Sequence, residues 1–280
     1  MPGTLTSPTD RFAKVRKDLF SLGVWYNTAM SENQVPSSLP TRPAFSRKAL
    51  VFYVLLVVAV FALVSVVSAV AREQGLSGRD TLAGAMLAYV LNALIFGGAA
   101  YLIAIRPNKI SWAELGIAPP RWQWLWLVVA AALVIVLLPV RMVVGAIAQW
   151  LSGGFEALQA RAELFGGELS WARFLVTLVG AGLLVPIAEE LFFRGFLYTA
   201  LRQHTRVWPA VAISSVIFAA GHYDAVGVIA TSFIMGIALA LIYEYTHSLW
   251  SSIALHAINN SVAVVLTYGL MVLLEWMKKT

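Results

Sequence analysis

Seven apolar runs without Asp, Glu, Lys or Arg, at 49–71, 81–105, 122–140, 174–188, 207–221, 225–243 and 248–274, divide this sequence. A helix needs about 20 apolar residues to cross the hydrocarbon of a bilayer, and most of these runs reach or approach that length. Lipid offers no hydrogen-bond partners, so each run must satisfy its own backbone, which a helix does. The expectation is an all-α, polytopic membrane helix bundle with seven or eight transmembrane helices. The 174–188 and 207–221 runs are short by themselves and must draw on flanking residues, where the charges lie. Nine of the ten tryptophans (Trp112, Trp122, Trp124, Trp126, Trp150, Trp171, Trp208, Trp250 and Trp276) fall near run ends, as an interfacial aromatic belt requires. Composition agrees. Hydrophobic residues make up 60% and charged residues 12%, against roughly 45–50% and 25% in a soluble domain. The chain has no cysteine, which excludes disulfides, thiolate metal sites and cysteine nucleophiles.

The net charge is +6, and residues 1–48 supply seven basic and three acidic side chains of that balance. Such a segment is drawn to anionic lipid and keeps the N-terminus cytoplasmic, which accounts for the basic pI without a nucleic-acid partner. The same arm holds Pro2, Pro8, Pro36, Pro40 and Pro43, so much of it is expected to be extended. Within it, Phe12, Val15, Leu19 and Leu22 recur at helical spacing opposite Arg11, Lys14 and Asp18, a pattern suited to a short helix on the membrane surface. Residues 49–280 form one membrane domain without internal repeats. With the N-terminus inside, seven spans leave Lys278 and Lys279 outside, against the charge rule. An eighth passage, re-entrant within 141–172 or made by a bend near Gly269, restores it. The expected location is the plasma membrane, or the inner membrane of a bacterial host.

An ionisable side chain at membrane depth is expensive, so each one in a spanning run is a functional candidate. They cluster in the C-terminal half. Glu189, Glu190 and Arg194 continue the 174–188 helix; Glu190 and Arg194 are i and i+4 and can pair, while Glu189 is turned about 100° away and left free to act. A helix-end ion pair needs one glutamate, and two are present. Phe218 and His222 close the 207–221 run. His256 and Asn260 share a face of the last run, with Asn259 pointing elsewhere. Singly, each cluster is compatible with interhelical hydrogen bonding. Together they offer a carboxylate base, imidazoles and an amide donor, a set suited to water-mediated acyl transfer.

Other chemistries lack their signatures. No histidine is followed by Glu, so the HExxH zinc motif is absent. Ser214, Ser215, Ser251 and Ser252 lack a nucleophile elbow. No GxGD-type aspartyl pattern occurs, and Asp224 reads as a loop acid. His204, His247 and Glu244 read as interfacial. Arg141 reads as ending the third run or snorkelling, with a helper role toward a substrate carboxylate left open. Gly180, Gly182 and Gly236 read as close-packing sites. A proton-coupled transporter or channel and a catalytically silent membrane adaptor are the competing classes. Transporters commonly carry inverted repeats, which this chain does not display.

In this order and on separate helices, Glu189-Glu190-x-x-x-Arg194, Phe218-x-x-x-His222 and His256-x-x-x-Asn260 resemble the CAAX-prenyl protease and bacteriocin-processing (CPBP) family of intramembrane proteases, also called the Abi family. The resemblance covers about residues 174–265, with weaker support from Glu114-Leu115-Gly116-Ile117. It implies a bundle around an intramembrane catalytic cavity and an endopeptidase cutting a membrane-associated protein or peptide, in some members at a C-terminal tail. By position, Glu189 would activate water, His222 would hold or polarise it, Glu190 and Arg194 would brace the site, and His256 and Asn260 would orient the water or stabilise the oxyanion. No cofactor is required; a divalent ion such as zinc held by Glu189, His222 and His256 is chemically compatible.

Overall fold

A computed structural model describes residues 81–112, 114–117, 123–154, 169–222 and 225–280, together with scattered helical positions between 48 and 70. All of these belong to the compact unit Pro43–Thr280. The arm at 1–48, its surface-helix pattern and Asp224 lie outside the described residues, apart from Lys48. The described residues are helical, with no strand among them. We number the helices α1 (Leu82–Asn108), α2 (Gln123–Leu151), α3 (Trp171–His204), α4 (Val207–Ala220), α5 (Val226–Thr246) and α6 (Leu249–Met277).

Five of the six are long and apolar enough to cross a membrane; the chain is an integral membrane protein. The expected count of seven or eight is therefore not met among the described residues. The 49–71 run is described only in part. The 207–221 run forms α4, a 14-residue helix of about 21 Å, short of the roughly 30 Å hydrocarbon core. The bend sought at Gly269 is absent, because α6 runs unbroken past it. Two boundaries also move. The third run does not stop at Arg141, since α2 continues to Leu151 with Arg141 in its interior, and the fourth extends through both glutamates and Arg194 to His204.

Local sequence explains the starts and irregularities of these helices. Thr81 caps α1 by accepting from the Gly84 N–H at 3.1 Å, and Ser170 caps α3 by accepting from the Arg173 N–H at 3.1 Å, each satisfying an orphan first-turn donor. Helix α3 is not uniform. Wider π-helical turns at Gly180–Leu184 and Leu191–Tyr198 flank an α-helical turn at Val185–Glu190. Pro186 lies at their junction and has no N–H to donate, so a carbonyl one turn earlier loses its helical partner.

Glycines set how closely the helices approach. A Cβ on Gly180 would meet the Tyr89 ring of α1 at 2.2 Å, one on Gly182 would meet Ser261 of α6 at 2.8 Å, and one on Gly236 would meet Ser215 of α4 at 3.0 Å. These three are packing positions, as the sequence suggests. Helix α3 thereby packs on α1 and α6, α4 lies along α5, and α2 lies against α5 and α6. An aromatic wall closes the centre: Phe96 of α1 stands 5.5 Å from Phe192 and 5.4 Å from Phe193, and Phe193 stands 5.0 Å edge-on to Phe218 of α4.

The Glu114-Leu115-Gly116-Ile117 loop clamps the start of α6. Leu115 is buried. The Gly116 carbonyl accepts from the Leu249 N–H at 3.1 Å, and the Trp250 indole donates to the Ile117 carbonyl. Gly116 adopts φ +72°, and a Cβ there would lie 2.3 Å from the His247 carbonyl, so glycine is required on both counts. Ser111 and Glu114 form a capping box: the Glu114 carboxylate accepts from the Ser111 N–H at 2.6 Å and from its hydroxyl at 2.8 Å. Those donors hold the Glu114 carboxyl below its ordinary range.

Candidate active site

The three motifs converge where α3, α4 and α6 meet. Glu190 is fully buried and carries three donors. Arg194 Nη1 donates to its Oε1 at 2.8 Å, His256 Nδ1 lies 2.8 Å from the same oxygen, and the Ser252 hydroxyl donates to Oε2. Arg194, also fully buried, sends Nη2 to the Gly236 carbonyl at 3.0 Å, with its guanidinium 4.8 Å from the Phe218 ring centre. An ion pair taken wholly out of water repays its desolvation only with such extra bonds and a π face. The predicted i,i+4 pairing of Glu190 with Arg194 is present.

Glu189, one residue earlier, occupies a different setting. Its side chain is 9% exposed, and Oε2 lies 3.7 Å from His256 Nε2, too far for a direct hydrogen bond. His256 thus has one ring nitrogen on each glutamate. A proton on Nδ1 donates to the Glu190 carboxylate, which leaves Nε2 facing Glu189. His222 is half-buried, with Nδ1 3.0 Å from its own helix's Phe218 carbonyl. Phe218 joins the two imidazoles, with ring centres 4.9 Å from His222 and 5.6 Å from His256.

Asn260 enters through α3's irregular turn. In the π-helical turn the Val185 N–H bonds the Gly180 carbonyl; the next such bond would run from residue 186 to Ala181, and Pro186 cannot make it. The Asn260 Nδ2 fills that vacancy, donating to the Ala181 carbonyl at 3.1 Å. Asn260 Oδ1 accepts from Asn259 Nδ2 at 3.0 Å, and Asn259 Oδ1 accepts from Arg141 of α2. Arg141 also donates through Nε to the Thr231 carbonyl of α5 at 3.2 Å.

Sequence reasoning missed Ser252, Asn259 and Arg141. Ser252 was legible: 252, 256 and 260 form one i, i+4, i+8 stripe on α6. Asn259 does point away from that stripe, as expected, but toward α2. Arg141 reads in the chain as a helix end or a snorkelling side chain, with a helper role toward a substrate carboxylate open, because nothing in the chain says what α5 and α6 offer it. The suggested metal set does not fit: among the described residues no group of three His, Asp or Glu gathers closely enough to hold an ion, so Glu189, His222 and His256 are not assembled as ligands. Glu244 sits at a helix end, as expected, where it accepts from Arg202 at 3.0 Å and from the Tyr198 hydroxyl at 2.9 Å.

Comparison with known proteins meets this geometry at the same residues. Residues 171–262 match the family described as type II CAAX prenyl endopeptidase Rce1-like. Over this region the chain is similar to the CPBP family. The chain is 35% identical over 81 residues to "Putative membrane peptidase YdiL" of Bacillus subtilis (strain 168). That alignment covers 29% of this chain and 33% of the relative, so the chain spans about a third of the relative's length. No solved structure matches significantly. The CPBP match begins at the first residue of α3 and ends two residues past Asn260, so it takes in the carboxylates, both imidazoles and both asparagines and leaves out Arg141.

Proposed function

We propose that this protein is an intramembrane endopeptidase that hydrolyses a peptide bond of a membrane-associated protein or peptide with water activated by Glu189. The observation that carries the reading is the division of labour between adjacent carboxylates. Glu190 is consumed by Arg194, His256 and Ser252, whereas Glu189 faces an imidazole nitrogen at 3.7 Å, beyond a direct hydrogen bond, so that one water beside the pair can bond both.

In this mechanism Glu189 takes a proton from water as the oxygen attacks the scissile carbonyl, and later returns it to the departing amine. The Glu190 carboxylate fixes the His256 ring through Nδ1, so Nε2 orients the water. His222, the second imidazole packed on Phe218, polarises it as well. The second hydrogen of Asn260 Nδ2, not used on Ala181, meets the developing oxyanion. Membrane lipid surrounds the bundle, and the scissile bond reaches the site on a chain that is itself lipid-associated, with a C-terminal tail as one substrate form. The basic arm at 1–48 lies at the cytoplasmic face.

The test is mass spectrometry of membrane peptides from cells carrying the wild type or Glu189→Gln. The reading expects one or more cleaved peptides that disappear in the variant. Identical peptide sets, together with Glu189-dependent ion flux in liposomes, would replace it with a transport function; identical sets without flux would leave an adaptor.

A further inference from the structure

We propose that Arg141 is a positioning residue of this site, acting on Asn260 through Asn259; the inference rests on the peptidase reading above. A guanidinium in the interior of an apolar helix is costly unless it serves something. No carboxylate among the described residues pairs with Arg141; its partners are the Thr231 carbonyl, the Asn259 amide oxygen and, at 3.9 Å, the Met235 sulfur. It is therefore not a structural ion pair of the Arg194 kind.

What it does supply is polarity. An asparagine amide can be turned end for end at little steric cost, exchanging donor for acceptor. Arginine has only donors, so Asn259 must present Oδ1 to Arg141 and its Nδ2 to Asn260. Asn260 must then present Oδ1 to Asn259 and its Nδ2 onward. At the far end stands the Ala181 carbonyl, an acceptor only, left available by Pro186. The chain from Arg141 through Asn259 and Asn260 to Ala181 thus has a donor-only and an acceptor-only terminus, and one direction satisfies every link. That direction leaves a donor of Asn260, not its oxygen, for an oxyanion. The cation also polarises the chain so that each N–H donates more strongly.

The fold brings α2 close enough for this. One turn beyond Arg141, a Cβ on Gly145 would meet Thr231 at 2.8 Å, and one on Gly227 would lie 2.6 Å from the Gly145 carbonyl. Helices α2 and α5 touch through backbone there, which places the guanidinium at Thr231 and Asn259.

The test uses full-length protein in proteoliposomes and a quenched-fluorescent peptide spanning the cut site recovered in the Glu189→Gln comparison. Losing a direct oxyanion donor lowers kcat by roughly 10²–10³-fold, so losing a group that orients one is expected to cost roughly tenfold. Arg141→Met should lower kcat by that amount with KM unchanged, while the thermal midpoint in detergent stays level or rises, because an unneutralised cation has left the bundle. Arg141→Lys, another donor-only cation, should recover most of the kcat. In an Asn260→Ala background, Arg141→Met should cost nothing further. Wild-type kcat for Arg141→Met on a peptide the wild type cuts would overturn the inference and leave the peptidase reading standing. So would a fall in thermal midpoint shared by the Met and Lys variants with additive losses. If no cleaved peptide is found, the peptidase reading fails and this inference fails with it.

Discussion

Arg194 in α3 and Arg141 in α2 both sit inside apolar helices, yet the first is wrapped by a carboxylate, a backbone carbonyl and an aromatic face, and the second touches only neutral acceptors. Around Arg194 the Gly236 carbonyl and the Phe218 ring tie α3 to α5 and α4, and charge is balanced on the spot by Glu190 of the same helix. Around Arg141 the bonds form a line that runs through Asn259 and Asn260 to the Ala181 carbonyl. A buried charge with its counterion is part of the scaffold; one without a counterion is retained for what lies at the other end of its hydrogen bonds. The two surroundings should therefore respond differently to mutation, one through folding and one through turnover.

The largest effect is expected from breaking the balanced cluster. Arg194→Leu strands the Glu190 carboxylate among buried groups and should cost about 3–5 kcal/mol in detergent unfolding. The Glu190→Gln/Arg194→Leu double variant should recover part of that loss, since no lone charge remains. If the single variant unfolds like the wild type, the contrast between the two arginines is lost.

A smaller effect of opposite sign is expected at Pro186. Pro186→Ala restores an N–H that competes with Asn260 for the Ala181 carbonyl. Thermal stability should not fall, and should rise by at most about 3 kcal/mol, the cost of proline within a helix, while kcat falls because Asn260 loses its anchor. Unchanged turnover would show that the irregular turn of α3 does not position the amide.

The smallest effect belongs to the clamp on α6. Glu114 is solvent-exposed, and its depressed carboxyl contributes stability above its unfolded value near 4.5 that is lost as pH falls through the lower folded value. Glu114→Gln should flatten the pH dependence of the thermal midpoint between pH 6 and pH 3 and leave turnover untouched. A midpoint that falls as steeply with pH as in the wild type would remove Glu114 from the account.

Much of this arrangement can be read in the chain itself. Helix identity follows from uncharged runs, and the pairing of Glu190 with Arg194 follows from their spacing. Helix ends were less legible. Arg141 and the Glu189–Arg194 stretch look like boundaries because a linear sequence shows the charge and not the neighbour that satisfies it; once α5, α6 and α4 supply carbonyls, amides and a π face, both helices continue. The line from Arg141 to Ala181 was hidden for the same reason, since two of its links join residues 118 and 79 positions apart. The Ala181 carbonyl has no side-chain signature at all; only Pro186, five residues later, hints at it.

The central claim is that two neighbouring acids have been given separate tasks, and the direct measurement pairs peptide cleavage with thermal unfolding for Glu189→Gln and Glu190→Gln. The account predicts that Glu189→Gln loses at least about a hundredfold in cleavage, as removal of a general base does, with the wild-type midpoint, and that Glu190→Gln lowers the midpoint. Native-rate cleavage by Glu189→Gln, or equal loss of fold in both variants, contradicts it.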